Sequence, residues 1–270
     1  GLAQLQADLF ELGTPWSHRL KRSLENVYNE RKSAEYYSRF SDTFPEGYTD
    51  IVNPADCVVD IKHLDQLLDN GRPRFAILES RNTPNQALLR IYSMEEVSLT
   101  KILPVVDNFG VVVAEQYAFE VHTKEGQNAW VNTLRIERGE DDLLSQAEQL
   151  VGGLSSVFNG QMRSDRLNRL LLASNLTWQE VDVFRAYYIY GRQLGQQFQL
   201  EGVRKTLMNH RGFVSDLAEL FRLRFDPASK KRTDARKQKE QAQSDKLLSY
   251  LEEVKTSEED RILRTFLNYV

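Results

Sequence analysis

The sequence contains very little cysteine, since Cys57 is the only one among its 270 residues. A disulfide within the chain is therefore impossible, and a reducing, cytoplasmic setting is predicted. No run approaches the roughly 18–20 apolar residues that a membrane-spanning helix requires. Residues 1–11 also lack the basic start and long apolar region of a signal peptide. We predict no membrane contact.

Glycine motifs and histidine clusters, which mark many catalytic sites, are also missing. Neither Gly-x-Gly-x-x-Gly nor Gly-x-x-x-x-Gly-Lys-Ser/Thr occurs, so the backbone cradles for dinucleotides and for P-loop phosphates are lacking. No histidine has metal-ligand spacing to another histidine or to Cys57. Asp60 and His63 can meet on one helix face, which we interpret as a surface hydrogen bond. We expect no catalytic, cofactor-binding or metal-binding residue in this chain.

A strong excess of one charge is absent as well. The net charge of −4, with 41% apolar and 27% charged residues, predicts a globular protein without general affinity for nucleic acid. The stretch from Ala228 to Lys246 is locally basic, with seven basic and three acidic residues. It could hold a phosphate, but a solvated linker or exposed helix is the favoured interpretation.

The sequence does contain a helix-and-strand pattern centred on residues 98–110. Apolar residues recur there at helical spacing, from Leu99 to Phe109, and Gly110 suits a helix C-cap. Pro104 is expected to tighten or kink the first turn of this helix. The surrounding alternation of apolar and polar residues predicts a small α+β module with one crossover helix. Its four predicted strands cover residues 75–79, 87–93, 111–121 and 130–138.

Helical patterns dominate the rest of the chain. Capping boxes are predicted at Thr177–Glu180 and at Ser257–Asp260, where a hydroxyl and an acid three residues later satisfy free backbone N–H groups. From residue 141 onward the chain is predicted to be entirely helical. We divide it into an N-terminal helical segment (1–53), an α+β domain (54–140), a helical bundle (141–227) and a charged linker with helices (228–270).

The C-terminal segment carries an apolar stripe made of Ile262, Phe266, Leu267 and Val270. Chain ends are rarely so apolar, so we expect the chain to be a fragment of a longer protein. The stripe is then an interdomain contact, covered by chain beyond residue 270. In this chain we expect it to be exposed, paired with another molecule, or folded back on the bundle.

Several segments, in the same order along the chain, resemble the large bacterial NAD-dependent glutamate dehydrogenases. Residues 87–93 and 99–110 are similar to the ACT-like segment of that family, and the resemblance extends over nearly the whole chain. It implies an ACT-like (ferredoxin-like) α/β sandwich followed by an all-helical bundle, both in the regulatory amino-terminal portion just before the catalytic domain. The further matching segments are 44–48, 59–61, 165–170, 176–186, 220–227 and 259–264.

The resemblance also implies an activity for the parent protein, which oxidises glutamate to 2-oxoglutarate and ammonia with NAD as acceptor. No catalytic or nucleotide-binding position of the family has a counterpart here, so the fragment itself is expected to be non-catalytic and without a cofactor. The implied partners are the catalytic domain of the same chain and further copies in a homo-oligomer. The alternative is a free-standing ACT-like module for amino-acid sensing or protein interaction.

Effectors of that fold family commonly bind near the loop between the first strand and the first helix, here Met94–Val97. The possible effector residues are Arg90, Glu95, Glu96 and Lys101. The two glutamates could hold an ammonium group but would repel a carboxylate, and no glycine lets the backbone approach closely. We therefore predict that this module is an assembly surface and spacer, and not an amino-acid sensor.

Overall fold

The computed structural model describes residues 14–81, 83, 85–137, 143–226 and 234–270. It divides the chain into two compact units. The first, called the sheet unit, spans residues 1–103 and 112–139, and the second, called the helical unit, spans 104–111 and 140–270. The four-part division at residues 53, 140 and 227 stays a prediction.

The sheet unit confirms the predicted α+β module. Its four strands form one antiparallel sheet in the order β1-β2-β4-β3, so that β2 and β4 are central. Every predicted strand is present, and the turn after β3 is closed by a 2.9 Å hydrogen bond from the Thr123 N–H to the Gln127 carbonyl. The elements are α1 (Trp16–Val27), α2 (Glu30–Phe40), α3 (Glu46–Ile51), α4 (Pro54–Asn70), β1 (Arg74–Glu79), β2 (Gln86–Ser93), β3 (Val113–His122) and β4 (Asn128–Glu137). Between β2 and β3, helix α5 (Leu99–Asn108) begins in this unit and continues into the helical unit from residue 104.

Helix α4 covers one face of the sheet. The Asn53 side chain accepts a hydrogen bond from the Ala55 N–H at its start, and Gly71 ends it with a φ of 67°, a conformation that glycine adopts without strain. Its buried side chains include Ile61, Leu64 and Leu67, which recur at the spacing of one helix face. They belong to one core cluster with residues of α1, α2 and the sheet. The strands are thereby fixed beneath a layer of N-terminal helices.

Helix α5 buries only part of its predicted apolar face. Ile102, Val106 and Phe109 are buried, whereas Leu99 and Leu103 are 40% and 38% exposed. Leu103 lies beside the line that residues 102, 106 and 109 follow along the helix, whereas Leu99 is on that line but is the first residue of the helix. Pro104 lies inside the helix. It is at an exposed position, where water can satisfy the carbonyl that loses its N–H partner.

The helical unit confirms the predicted all-helical region. Thr177 begins α8 with a complete capping box. The second box is one residue earlier than predicted, because Thr256, and not Ser257, accepts the hydrogen bond from the Glu259 N–H. The elements are α6 (Ala147–Phe158), a 3₁₀ turn (Arg166–Arg169), α7 (Leu170–Ala173), α8 (Trp178–Gln193), α9 (Leu200–Asn209), α10 (Arg211–Phe225), α11 (Asp234–Glu252) and α12 (Ser257–Tyr269).

The predictions of a charged linker and of no membrane-spanning helix can be compared only with the described residues. Residues 228–233 of the predicted charged linker lie outside the described residues, and the linker continues as helix α11. Within the described part of the chain, no helix combines the length and apolar character needed to cross a membrane.

The packing of the helical unit depends on a glycine in α6. A Cβ atom added to Gly153 would lie 2.6 Å from Phe109 Cε1 and 2.8 Å from Leu171 Cδ1, which is far inside van der Waals contact. A Cβ added to the neighbouring Gly152 would meet no atom closer than Trp178 Cδ1 at 4.0 Å. The two glycines therefore differ in the space around them, although they occupy the same helix.

We expect Gly153→Ala to lower the free energy of unfolding of the chain by about 1–3 kcal/mol, the usual cost of overpacking a core. Gly152→Ala is the matched control and should be neutral or stabilising by up to about 1 kcal/mol, because alanine favours helix. Urea unfolding followed by circular dichroism measures both values. Equal effects at the two positions would contradict the close packing around Gly153.

Candidate functional site

A fully buried carboxylate lies at the centre of the sheet unit. Asp60 in α4 is 0% exposed, and it accepts hydrogen bonds from the hydroxyl groups of Tyr48 and Tyr92, the latter at 2.6 Å. Arg90 Nε lies 3.8 Å from Asp60 Oδ1. Burying a carboxylate is costly unless it is paired and hydrogen-bonded, and these three residues supply both conditions. Together with Thr133 they are called the Asp60 network.

The positions of these residues follow from strand alternation. Arg90 and Tyr92 point to the α4 face of β2, because Leu89 and Ile91, which alternate with them along the strand, occupy the opposite face. Arg90 is 1% exposed, and its Nη1 donates a 2.6 Å hydrogen bond to Thr133 Oγ1 on the adjacent strand β4. The sequence interpretation of Asp60 as a surface residue is therefore wrong, since its helix position is buried by the sheet.

Burial controls the protonation of the neighbouring groups. It raises the pKa of Tyr48 and Tyr92 well above the ordinary tyrosine value, and the negative charge of Asp60 adds to the effect. Burial and then Asp60 likewise raise the pKa of the Cys57 thiol. Burial alone would lower the pKa of Arg90, but the combined effect of Asp60 and the tyrosines Tyr48, Tyr92 and Tyr117 outweighs it and raises that pKa. The network thus consists of one anion, one cation and neutral hydroxyl groups, and the neighbouring Cys57 thiol is neutral as well.

His63 borders this network and does not hydrogen-bond to Asp60. Its ring stacks on Tyr92 with centroids 4.9 Å apart and planes 9° apart. Its Nδ1 is buried without a hydrogen-bond partner in the structure. Burial, followed by the nearby positive charge of Lys62, lowers the pKa of His63. The folded chain therefore favours the neutral imidazole.

A second polar feature of the sheet unit is an open cleft of about 710 Å³. It has both positive and negative side chains in its lining. Two ion pairs span parts of it, from Arg81 Nη2 to Asp56 Oδ1 at 3.0 Å and from Arg135 Nη2 to Glu115 Oε2 at 3.1 Å. The lining residues come from α1, the α3–α4 junction, the end of β1 and the strands β2, β3 and β4. Those with charged or hydroxyl side chains are Arg19, Thr49, Asp50, Asp56, Glu79, Ser80, Arg81, Glu115, Tyr117 and Arg135.

The structure does not bring the predicted effector residues together. Glu95, Glu96 and Lys101 are exposed, and the Ser93 hydroxyl donates to the Glu95 carbonyl at 2.6 Å. Arg90 is buried in the Asp60 network instead, because its position on β2 directs it toward α4. A role of these four residues in effector binding stays a prediction.

The C-terminal apolar stripe is folded back on the helical unit, which is one of its three expected arrangements. Ile262 and Phe266 are 1% and 3% exposed, and the Phe266 ring lies 5.9 Å from that of Phe184 in α8. Leu267 and Val270 are partly buried. A role of these residues in contacting a further domain stays a prediction.

Family models of glutamate dehydrogenase match three segments of the chain. The model of helical motif 2 matches residues 23–67, that of the ACT3 domain matches residues 76–148, and that of helical motif 3 matches residues 162–227. Helical motif 2 therefore covers α2, α3 and most of α4, while the ACT3 match contains the entire sheet apart from the start of β1.

Three curated proteins are similar over the chain's whole length. The NAD-specific glutamate dehydrogenase of Pseudomonas aeruginosa is 26% identical over 99% of the chain, and those of Halomonas elongata and Mycobacterium tuberculosis are 25% and 26% identical over 100% and 99%. The chain spans only 17% of the length of each of these relatives.

We expect Asp60→Asn to lower the free energy of unfolding by about 3–5 kcal/mol, because Arg90 would remain as a buried charge without its counter-charge. Asp69→Asn, an exposed position at the end of the same helix, is the control and should change it by no more than about 0.5 kcal/mol. Adding Arg90→Met to Asp60→Asn should recover part of the loss. Urea unfolding measures all three variants, and equal losses for Asp60→Asn and Asp69→Asn would contradict the network.

Because of His63, we expect the folded chain to become less stable as the pH falls. Its folded pKa is lowered, so the unfolded chain binds a proton more readily, and the stability present above about pH 6.5 is lost as the pH falls. We expect the melting temperature of His63→Phe to fall less than that of the unmodified chain between about pH 7 and pH 5. His18→Phe, at an exposed position of α1, is the control. Parallel pH profiles for all three proteins would refute the assignment.

Proposed function

The chain belongs to the glutamate dehydrogenase family, of which it carries the ACT3 domain and helical motifs 2 and 3, and on that premise we propose that it is a regulatory and assembly portion of an NAD-specific glutamate dehydrogenase. The observation that carries the proposal is that the three family segments follow one another in order, within a chain that spans 17% of its relatives. The chemistry would then lie in the remaining length of the parent protein.

The arrangement of charges supports a non-catalytic role for this portion. Asp60 and Arg90 are 0% and 1% exposed, so neither can touch a substrate, and their charges are used to hold α4 on the sheet. In the described residues no group of three or more His, Cys, Asp or Glu side chains is arranged to hold a metal ion.

The parent enzyme in this proposal oxidises glutamate to 2-oxoglutarate and ammonia, with NAD as the acceptor. The chain is placed in its amino-terminal portion, next to the catalytic domain of the same protein, and assembles with further copies into a homo-oligomer. The loop with Glu95 and Glu96, which is exposed on the sheet unit, belongs to the proposed assembly surface. The single cysteine, which is buried and free, supports a cytoplasmic setting.

We expect the purified chain to neither reduce NAD in the presence of glutamate nor bind NAD at micromolar concentration, because the glycine turn that presents backbone N–H groups to a pyrophosphate is missing from its sequence. Absorbance of NADH follows turnover, and titration calorimetry follows binding. The full-length parent enzyme is the positive control in both assays. Turnover or micromolar affinity in the isolated chain would overturn the proposal that this portion is non-catalytic.

A further inference from the structure

Five aromatic rings lie together in the helical unit, where α8, α10 and α12 meet. They are those of Tyr187, Tyr190, Phe221, Phe225 and Tyr269, which we call the aromatic surface. The distances between ring centroids are 5.0 Å from Phe225 to Phe221, 6.4 Å from Phe221 to Tyr187, 5.8 Å from Tyr187 to Tyr269 and 5.2 Å from Tyr269 to Tyr190. The five rings therefore form one continuous series of contacts.

Both ends of this series are exposed. Tyr190 and Phe225 are 47% and 53% exposed. Next to Tyr190 along the chain, Ile189 and Leu194 are 43% and 58% exposed. Single exposed apolar side chains are normal on a protein surface, but a connected group of them marks a contact site. Aromatic side chains are also enriched where proteins bind one another, so the aromatic surface is a candidate interface.

The rings are held in place by one another and by the helices that carry them. Tyr187 has Phe221 on one side, with the two ring planes 76° apart, and it also contacts Tyr269. Gly191 in α8 allows Tyr269 to come close, since a Cβ atom added to this glycine would lie 3.0 Å from Tyr269 Oη. A partner that docks on fixed rings orders few side chains, which lowers the entropic cost of binding.

The last residue of the chain lies at the aromatic surface. Val270 lines a small cavity together with Tyr187 and Phe221, and Tyr269 directly precedes it. Any residue joined to Val270 therefore starts at this surface. A segment attached at that point is present at a high effective concentration, so even a weak contact with it forms before a separate molecule can compete.

We propose that the aromatic surface is covered by the segment of the parent protein that follows Val270, through apolar side chains of that segment. The inference rests on the proposed function, in which the chain is a portion of a longer enzyme. In the curated relatives there is ample chain for such a segment, because the chain spans 17% of their length. Ile262 and Phe266 of the C-terminal stripe are buried in the helical unit, so the rings, and not these two residues, are accessible for the contact.

The test is hydroxyl-radical footprinting, which measures the accessibility of individual side chains, on the isolated chain and on the full-length parent. We expect labelling of Tyr190 and Phe225 to be about fivefold lower in the parent, because both are about half exposed in the isolated chain and central interface residues are fully desolvated. Leu248 on α11, which is 48% exposed, is the control and should be labelled equally in both. Near it, Tyr250 packs on Phe213, at the opposite end of α10 from Phe225.

Two further measurements separate the following segment from a second copy of the chain. Extending the chain past Val270 with the residues that follow it in the parent should protect the same rings in a monomer, as checked by analytical ultracentrifugation. Tyr190→Ser combined with Phe225→Ser should leave the melting temperature of the isolated chain unchanged, because both positions are exposed. In the parent, this double variant should abolish the protection of Leu194, whereas Leu248→Ser should not.

The proposal is overturned if Tyr190 and Phe225 are labelled equally in the isolated chain and in the parent. It is also overturned if protection in the parent disappears on dilution to monomers, or if the isolated chain protects these rings by pairing, because a second molecule would then cover them. A parent that forms no NADH from glutamate and NAD contradicts the proposed function, whatever the labelling. An active parent with accessible rings contradicts only the contact at the aromatic surface.

Discussion

The need to neutralise one buried carboxylate determines much of the sheet unit. Asp60 receives its partners from two elements, with Tyr48 in α3 and Arg90 and Tyr92 in β2, and Arg90 is bonded in turn to Thr133 of β4. These contacts form only when helix and sheet have their observed positions. If β2 slipped by one residue, Arg90 would enter the apolar face that Leu89 and Ile91 occupy. Apolar burial supplies most of the stabilising free energy, while the network makes other registers costly.

The same constraint explains the composition of the central strand. Strand β2 is covered on both faces, since Leu89 and Ile91 are 0% exposed on one and Tyr92 is 0% exposed on the other. A strand buried on both faces cannot show a simple alternation of apolar and polar residues. Its one charged side chain, Arg90, therefore needed a counter-charge from outside the sheet, and α4 provides it. The positive charge of β2 and the negative charge of α4 are therefore complementary.

A feature could be predicted from the sequence when the residues that form it are close together along the chain, and not when they are far apart. The strands and the capping box at Thr177 follow from neighbouring residues, and they were predicted at the observed positions within a few residues. Asp60 was misinterpreted because its partners in α3 and β2 are 12 and about 30 residues away, and local spacing does not report such pairs. A signal was present, however: Asp60 follows Cys57 by three residues and precedes Leu64 by four, so it lies on the apolar face of α4. The cleft could not be predicted, because its charges come from six separate elements and only folding brings them to one surface.

The core and the cleft are connected by α3. This short helix contributes Tyr48 to the buried network and Thr49 and Asp50 to the cleft lining, so consecutive residues face the two environments. Helix α1 has a similar double role, with Leu20 in the core cluster and Arg19 in the cleft. Because the Tyr48 hydroxyl is bonded to Asp60, a shift of α3 at the cleft would also disturb the contact between the N-terminal helices and the buried network.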